Sequence, residues 1–158
     1  MDKELRSILQ NAIYAAIYVV LCYVFQAFSF QAIQVRIAEA LCVLAIFDKR
    51  AAISISIGCF LSNILFSGII DAVFGTLATF IGLYVIRYIK SDNFFIKMLP
   101  TVISNALIIP FVVKFAFGDN APLLLIGATV AIGEFISVCI VGYLLYMSLK
   151  KLDIWNRY

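Results

Sequence analysis

Arg36, Glu39, Asp71 and Glu134 are ionisable residues set in apolar surroundings, and Gln34, Asn63 and Asn105 are amides in the same setting. A charged group in a membrane helix costs several kcal/mol unless it meets a partner or water, so each of these residues needs a physical reason. Arg36 and Glu39 stand at i and i+3 and share a helix face, either as an ion pair at the membrane edge or as a ligand-facing pair. Glu134 lies about twelve residues into the last apolar stretch, roughly 18 Å from its start at 1.5 Å per residue, which is close to a membrane midplane. At that depth its carboxyl is either protonated, paired with a base or turned to a ligand. Asp71 follows Ser67-Gly68 at the start of another stretch, where a carboxylate suits a helix N-terminus; capping and ligand contact are both open to it. Asn63 and Asn105 either cross-link helices or read the edge of a planar ligand. Gathered together, Gln34, Arg36, Glu39, Asn63, Asp71 and Glu134, with Asn105 as a further candidate, would line an outward-facing cavity with more acceptors than donors. Such a site suits a small polar molecule that is rich in N–H groups or positively charged.

Other chemistry is poorly served. The chain has no histidine, which removes the commonest general base and the commonest metal ligand together. Cys22, Cys42, Cys59 and Cys139 lie in apolar segments without the two-residue spacing of a zinc or redox motif, and read as small core hydrophobes. Neither a catalytic constellation nor a metal site is expected, and an enzyme is disfavoured.

The elements that must position these groups are membrane helices. Of 158 residues, 65% are hydrophobic and 13% charged, and the mean hydropathy is +1.08. Those values lie outside the range of a soluble globular domain. Apolar stretches fall near 8–29, 33–47, 51–67, 70–89, 94–117 and 122–148. This predicts an all-α membrane protein, one domain over residues 1–158 built as a bundle of six spans. The second and third stretches are short and separated by Asp48-Lys49-Arg50 alone, which predicts a tight antiparallel hairpin. The first stretch is longer than a signal-peptide core and follows a mixed-charge N-terminus, so it should remain as a helix.

Orientation follows from the basic residues. With six crossings, Lys3, Arg6, Lys49, Arg50, Arg87, Lys90, Lys97, Lys150, Lys151 and Arg157 fall on one side, and only Arg36 and Lys114 on the other. Lys and Arg accumulate in cytoplasmic connections, so both termini are expected in the cytoplasm. The connections near 29–34, 67–71 and 117–122 then face outward. Lys114 is expected to snorkel to the outer interface. Phe28, Phe30, Phe66 and Phe74 should contribute to an aromatic belt there. Pro110 should kink or unwind the fifth helix and free a carbonyl near residue 106.

Two stretches carry a resemblance. Ile33-Gln-Val-Arg-Ile-Ala-Glu-Ala-Leu41 and Ser62-Asn-Ile-Leu-Phe-Ser-Gly-Ile-Ile-Asp-Ala-Val-Phe-Gly-Thr-Leu-Ala-Thr79 resemble the queuosine-precursor transporter family called QueT, whose length and span count also agree. Members of that family are similar to the substrate-binding S subunits of energy-coupling factor importers, which work with a membrane coupling protein and two cytoplasmic ATPases. The resemblance implies a subunit of the bacterial cytoplasmic membrane that captures ligand and holds no cofactor of its own, ATP being used by its partners. No Gly-x-x-x-x-Gly-Lys-Ser/Thr phosphate loop occurs in the sequence, in keeping with that division. It further implies that Ala12 and Ala16, spaced by four on the first helix, belong to the face that meets the coupling protein. The implied ligand is a 7-deazaguanine, whose adjacent N–H donors Glu39, Asp71 or Glu134 could accept. Alternatives within reach of the residues are an S subunit for another small molecule or vitamin, and a proton-coupled secondary transporter with Glu134 as carrier.

Overall fold

The computed structural model describes residues 3–26 and 35–151. The described residues are helical, in six elements: α1 (Lys3–Val24), α2 (Ile37–Phe47), α3 (Ala51–Phe66), α4 (Ile69–Ile86), α5 (Phe94–Ala116) and α6 (Leu123–Lys151). Their boundaries follow the apolar stretches closely. Four of them, α1, α4, α5 and α6, are long and apolar enough to cross a membrane, whereas α2 and α3 are shorter. Gln34, Phe28 and Phe30 lie outside the described residues.

The helices close into a ring in the order α1, α3, α4, α5, α6, α2 and back to α1. Two glycines set the closest approaches. A Cβ on Gly58 of α3 would stand 2.8 Å from Cβ of Tyr18 and 2.9 Å from the Ala15 carbonyl of α1. A Cβ on Gly82 of α4 would stand 2.5 Å from Cα of Thr101 on α5. Small residues let helix backbones approach where lipid supplies no hydrophobic drive for association.

The hairpin expectation is corrected in part. The turn at Asp48-Lys49-Arg50 is tight, with the Asp48 side chain accepting from the Arg50 amide at 2.9 Å. Away from that turn, α2 packs chiefly on α6, and to a lesser and similar extent on α1 and α3. Its first part, Ile37–Val43, is a 3-10 helix, and residues 38–43 are all buried. A helix buried on every side has no lipid-facing stripe to pair side by side with one neighbour.

Two helices change pitch. α5 continues through Pro110 and widens into a π segment over Val112–Ala116. The Ala106 carbonyl expected to be freed lies 3.5 Å from where a Cβ on Gly127 would stand, so α6 covers it with its barest residue. α6 widens likewise over Phe135–Val141, directly after Glu134. Lys114 donates to the Ala121 carbonyl at 3.0 Å, which ties the α5–α6 connection in place of simple snorkelling.

The outside is apolar, and a cluster of polar groups lies inside an otherwise apolar core. Large apolar side chains such as Leu65, Ile69, Leu107 and Leu124 are exposed on the outside, while the buried interior holds Arg36, Glu39, Asn63, Asp71, Asn105 and Glu134. The described aromatic side chains gather most densely where α2 ends, α5 begins and α6 ends. There Phe47, Phe94, Tyr143 and Tyr146 stack with ring centroids 5.0–6.4 Å apart. Phe66 pairs with Tyr23 at 6.1 Å, and Phe74 is exposed.

Candidate functional site

The interior polar groups come from helices on opposite sides of the ring. α2 packs against α4 through its last turn, Leu44–Phe47, and at its other end the Arg36 and Glu39 side chains reach α4 as well. Arg36, the residue that precedes the 3-10 helix, donates from Nη2 to Oδ2 of Asp71 at 2.8 Å, and both are buried. The ion pair is therefore Arg36–Asp71, and the i, i+3 pairing of Arg36 with Glu39 open from sequence is not formed. A 3-10 turn stacks i over i+3, yet the Glu39 carboxylate is taken by other donors. Oε1 accepts from the Tyr18 hydroxyl of α1 at 2.5 Å and from the Thr79 hydroxyl of α4 at 3.2 Å, and Oε2 accepts from the Cys42 thiol at 3.0 Å. One carboxylate thus joins three helices.

Asp71 sits in the first turn of α4, but it caps nothing. The helix begins after Gly68, whose φ of +109° belongs to the left-handed region that glycine tolerates, and no side chain caps the start. The α3–α4 turn is held by Asn63 instead. Its carbonyl accepts from the amides of Ser67 and Gly68, at 2.9 and 2.7 Å. Its side-chain amide donates to the Asp71 carbonyl at 3.2 Å and to the Cys59 sulfur at 3.4 Å. Asn63 therefore ties the two helices together, as one of the two sequence readings expected.

Asn105 and Glu134 form the second part of the site. The Asn105 side-chain amide donates to Oε1 of Glu134 at 3.1 Å and to the Thr101 carbonyl at 3.0 Å, linking α5 to α6. Glu134 lies within electrostatic reach of both Glu39 and Arg36. The two parts are thus one buried polar layer.

Sequence reasoning missed Tyr18, Cys42 and Thr79 as members of this layer. A signal for Thr79 existed, because Asp71, Gly75 and Thr79 recur every four residues and form one stripe of α4. Tyr18 has no such signal among the eight tyrosines of the sequence. The four cysteines are free and buried, as expected of small core residues.

Charge is unbalanced in the layer. Among the described residues the buried ionisable acids and bases are Arg36, Glu39, Asp71 and Glu134, one base against three acids, a formal charge of −2 when all are ionised. Buried charge is costly without a counter-charge, so this layer carries more acceptor capacity than its one base can match.

Comparison with known proteins bears on what is received. Residues 8–151 match the family model described as QueT transporter. The chain belongs to that family. The Queuosine precursor transporter QueT of Lactococcus lactis subsp. cremoris (strain MG1363) is 30% identical over 155 residues, covering 90% of this chain and 92% of the relative. No solved structure matches the chain. QueT family membership makes this a transporter and not an enzyme, and the long apolar helices make it a multi-pass membrane protein.

Proposed function

We propose that the chain is the substrate-binding S component of an energy-coupling factor importer in a bacterial cytoplasmic membrane, and that it captures a queuosine precursor or salvage base of the 7-deazaguanine class. The observation that carries this reading is the buried layer of one base and three acids on the bundle axis. A deazaguanine offers adjacent N–H donors on its guanine-like edge, and its aminomethyl form adds a cation. The similarity to a queuosine precursor transporter supports the same ligand class.

The chain acts as a single domain over residues 1–158 with six spans and both termini in the cytoplasm. Support comes from the end of the bundle where Arg50 donates to Ser7 and Arg87 to the Lys49 carbonyl, which gathers the basic residues of two connections beside the start of α1. Arg36 pairs with the opposite end of α4. Arg36, Asn63, Asp71, Asn105 and Glu134 form the ligand site, with Gln34, which lies outside the described residues, as a further candidate from the sequence, and Glu39 holds the layer together. The partners are a membrane coupling protein and two cytoplasmic ATPases, which use the ATP; this chain needs no cofactor. Ala12 and Ala16 are exposed on α1, and only 11% of the α1 span is buried against 44% of α4, so this helix offers a free face for the coupling protein.

Uptake of labelled aminomethyl deazaguanine into cells is expected to need this chain together with the coupling protein and active ATPases. One observation favours a second reading, a proton-coupled carrier: Glu134 is a buried carboxyl deep in a membrane helix, hydrogen-bonded among the described residues to the amide of Asn105. Uptake that survives inactive ATPases and collapses with a protonophore would establish that carrier and remove the S-component reading.

A further inference from the structure

The three acids of the layer are not equivalent, and their differences assign their parts; the assignment rests on the reading of the chain as a ligand-binding subunit. Glu39 and Asp71 are each 1% exposed. Both oxygens of Glu39 already accept from the protein's own donors. Oδ2 of Asp71 is held by Arg36, but Oδ1 is buried and has no hydrogen-bond partner among the described residues. Leaving a buried acceptor unpaired carries its full desolvation cost, larger when the group is charged. Such an oxygen calls for a donor that the described residues do not supply.

The flank of Oδ1 is closely bounded, with room kept only by the missing side chain of a glycine. Gly75 lies one turn further along α4, and a Cβ there would stand 3.1 Å from Oδ1 and 2.9 Å from Nδ2 of Asn63. Any side chain at 75 would press on the flank of the carboxylate. Asn63 is fixed by its bonds to the Asp71 carbonyl and Cys59, and so forms a second wall that does not swing away. Arg36, by gripping Oδ2, sets the orientation of the whole carboxylate.

We propose that Oδ1 of Asp71 is the acceptor that receives an N–H group of the ligand, in a subsite walled by Asn63 and Gly75. Arg36 is the positioning residue that aims it, and Glu39 is a tertiary tie that the ligand does not touch. The ligand chemistry this subsite takes is a compact N–H donor, such as the amino group and ring N–H of a purine-like edge or an ammonium group. A resident water could supply the same donor, and the test separates the two.

The full chain, purified in detergent, is titrated with the aminomethyl deazaguanine precursor, and its ligand-free thermal stability is measured beside each affinity. Gly75→Ala is expected to weaken binding by about tenfold or more, the scale of one hydrogen bond to a charged group. The added methyl meets Nδ2 of Asn63 and Oδ1 of Asp71, side-chain ends that are themselves held, and the ligand-free stability measured beside each affinity reads what their displacement costs. Asp71→Asn is expected to weaken binding at least as much; if it does not fold, Gly75→Ala decides alone. Wild-type affinity in Gly75→Ala would mean that a resident water or nothing occupies the flank, and would overturn the assignment while leaving the functional reading in place. A wild-type chain that binds no deazaguanine would overturn both.

Discussion

Glu39 and Asp71 are buried to the same extent on helices that face each other across the bundle, and they differ in how their oxygens are occupied. Glu39 gathers Tyr18, Cys42 and Thr79, and spends both oxygens on holding α1, α2 and α4 together. Asp71 is held at one oxygen by Arg36 and left bare at the other. Burial by itself therefore does not mark a ligand contact in a membrane bundle. What marks it is an interior polar group whose hydrogen-bonding capacity exceeds what the protein offers.

The contrast can be broken most forcefully at Arg36. Arg36→Met removes the one buried base among the described residues and leaves Asp71 without its counter-charge. The expected loss is about 3–5 kcal/mol, the range for breaking a buried pair by deleting one partner. A thermal denaturation series in detergent checks it; stability equal to wild type would show that Asp71 needs no charge partner and would dissolve the distinction between the two acids.

A smaller effect is expected on the Glu39 side. Tyr18→Phe deletes one of three donors and keeps the ring that packs on Gly58, so the cost should be about 1–3 kcal/mol, the range for leaving a buried acceptor short of a bond. Ligand affinity should fall by much less than it does in Gly75→Ala. An affinity loss in Tyr18→Phe that matches Gly75→Ala would show that the Glu39 side is part of the ligand site after all.

The smallest effect on the isolated chain is expected on the lipid-facing side of α1. Ala12→Leu combined with Ala16→Leu changes exposed positions, and should alter stability by under about 0.5 kcal/mol. The same variant should lose co-purification with the coupling protein, because bulky side chains hold a second helix away. Retained co-purification would move the docking face elsewhere on the bundle.

The helices were legible because lipid imposes long apolar stretches, and the structure's six elements begin and end within a few residues of those stretches, except that α1 starts at Lys3. The short lengths of α2 and α3 were also visible in the sequence. What α2 packs against was not, since a segment apolar on every face carries no stripe that names its neighbour. At the site, the residue types were legible and their pairing was not. Arg36 sits three residues from Glu39 and thirty-five from Asp71, yet it pairs with the distant one. Sequence spacing reports neighbours on one helix, whereas the ring order of the bundle decides which helices face each other across its axis. Tyr18 escaped notice for the same reason: its partner lies on another helix, and nothing in the local pattern singles it out.

Calorimetric titration of the detergent-purified chain, without partner subunits, tests the central claim most directly, using the aminomethyl deazaguanine precursor, queuine, guanine and riboflavin as ligands. The account predicts tight, saturable binding of a deazaguanine and none of riboflavin. Saturable binding of riboflavin alone, or no binding of any deazaguanine, would contradict it.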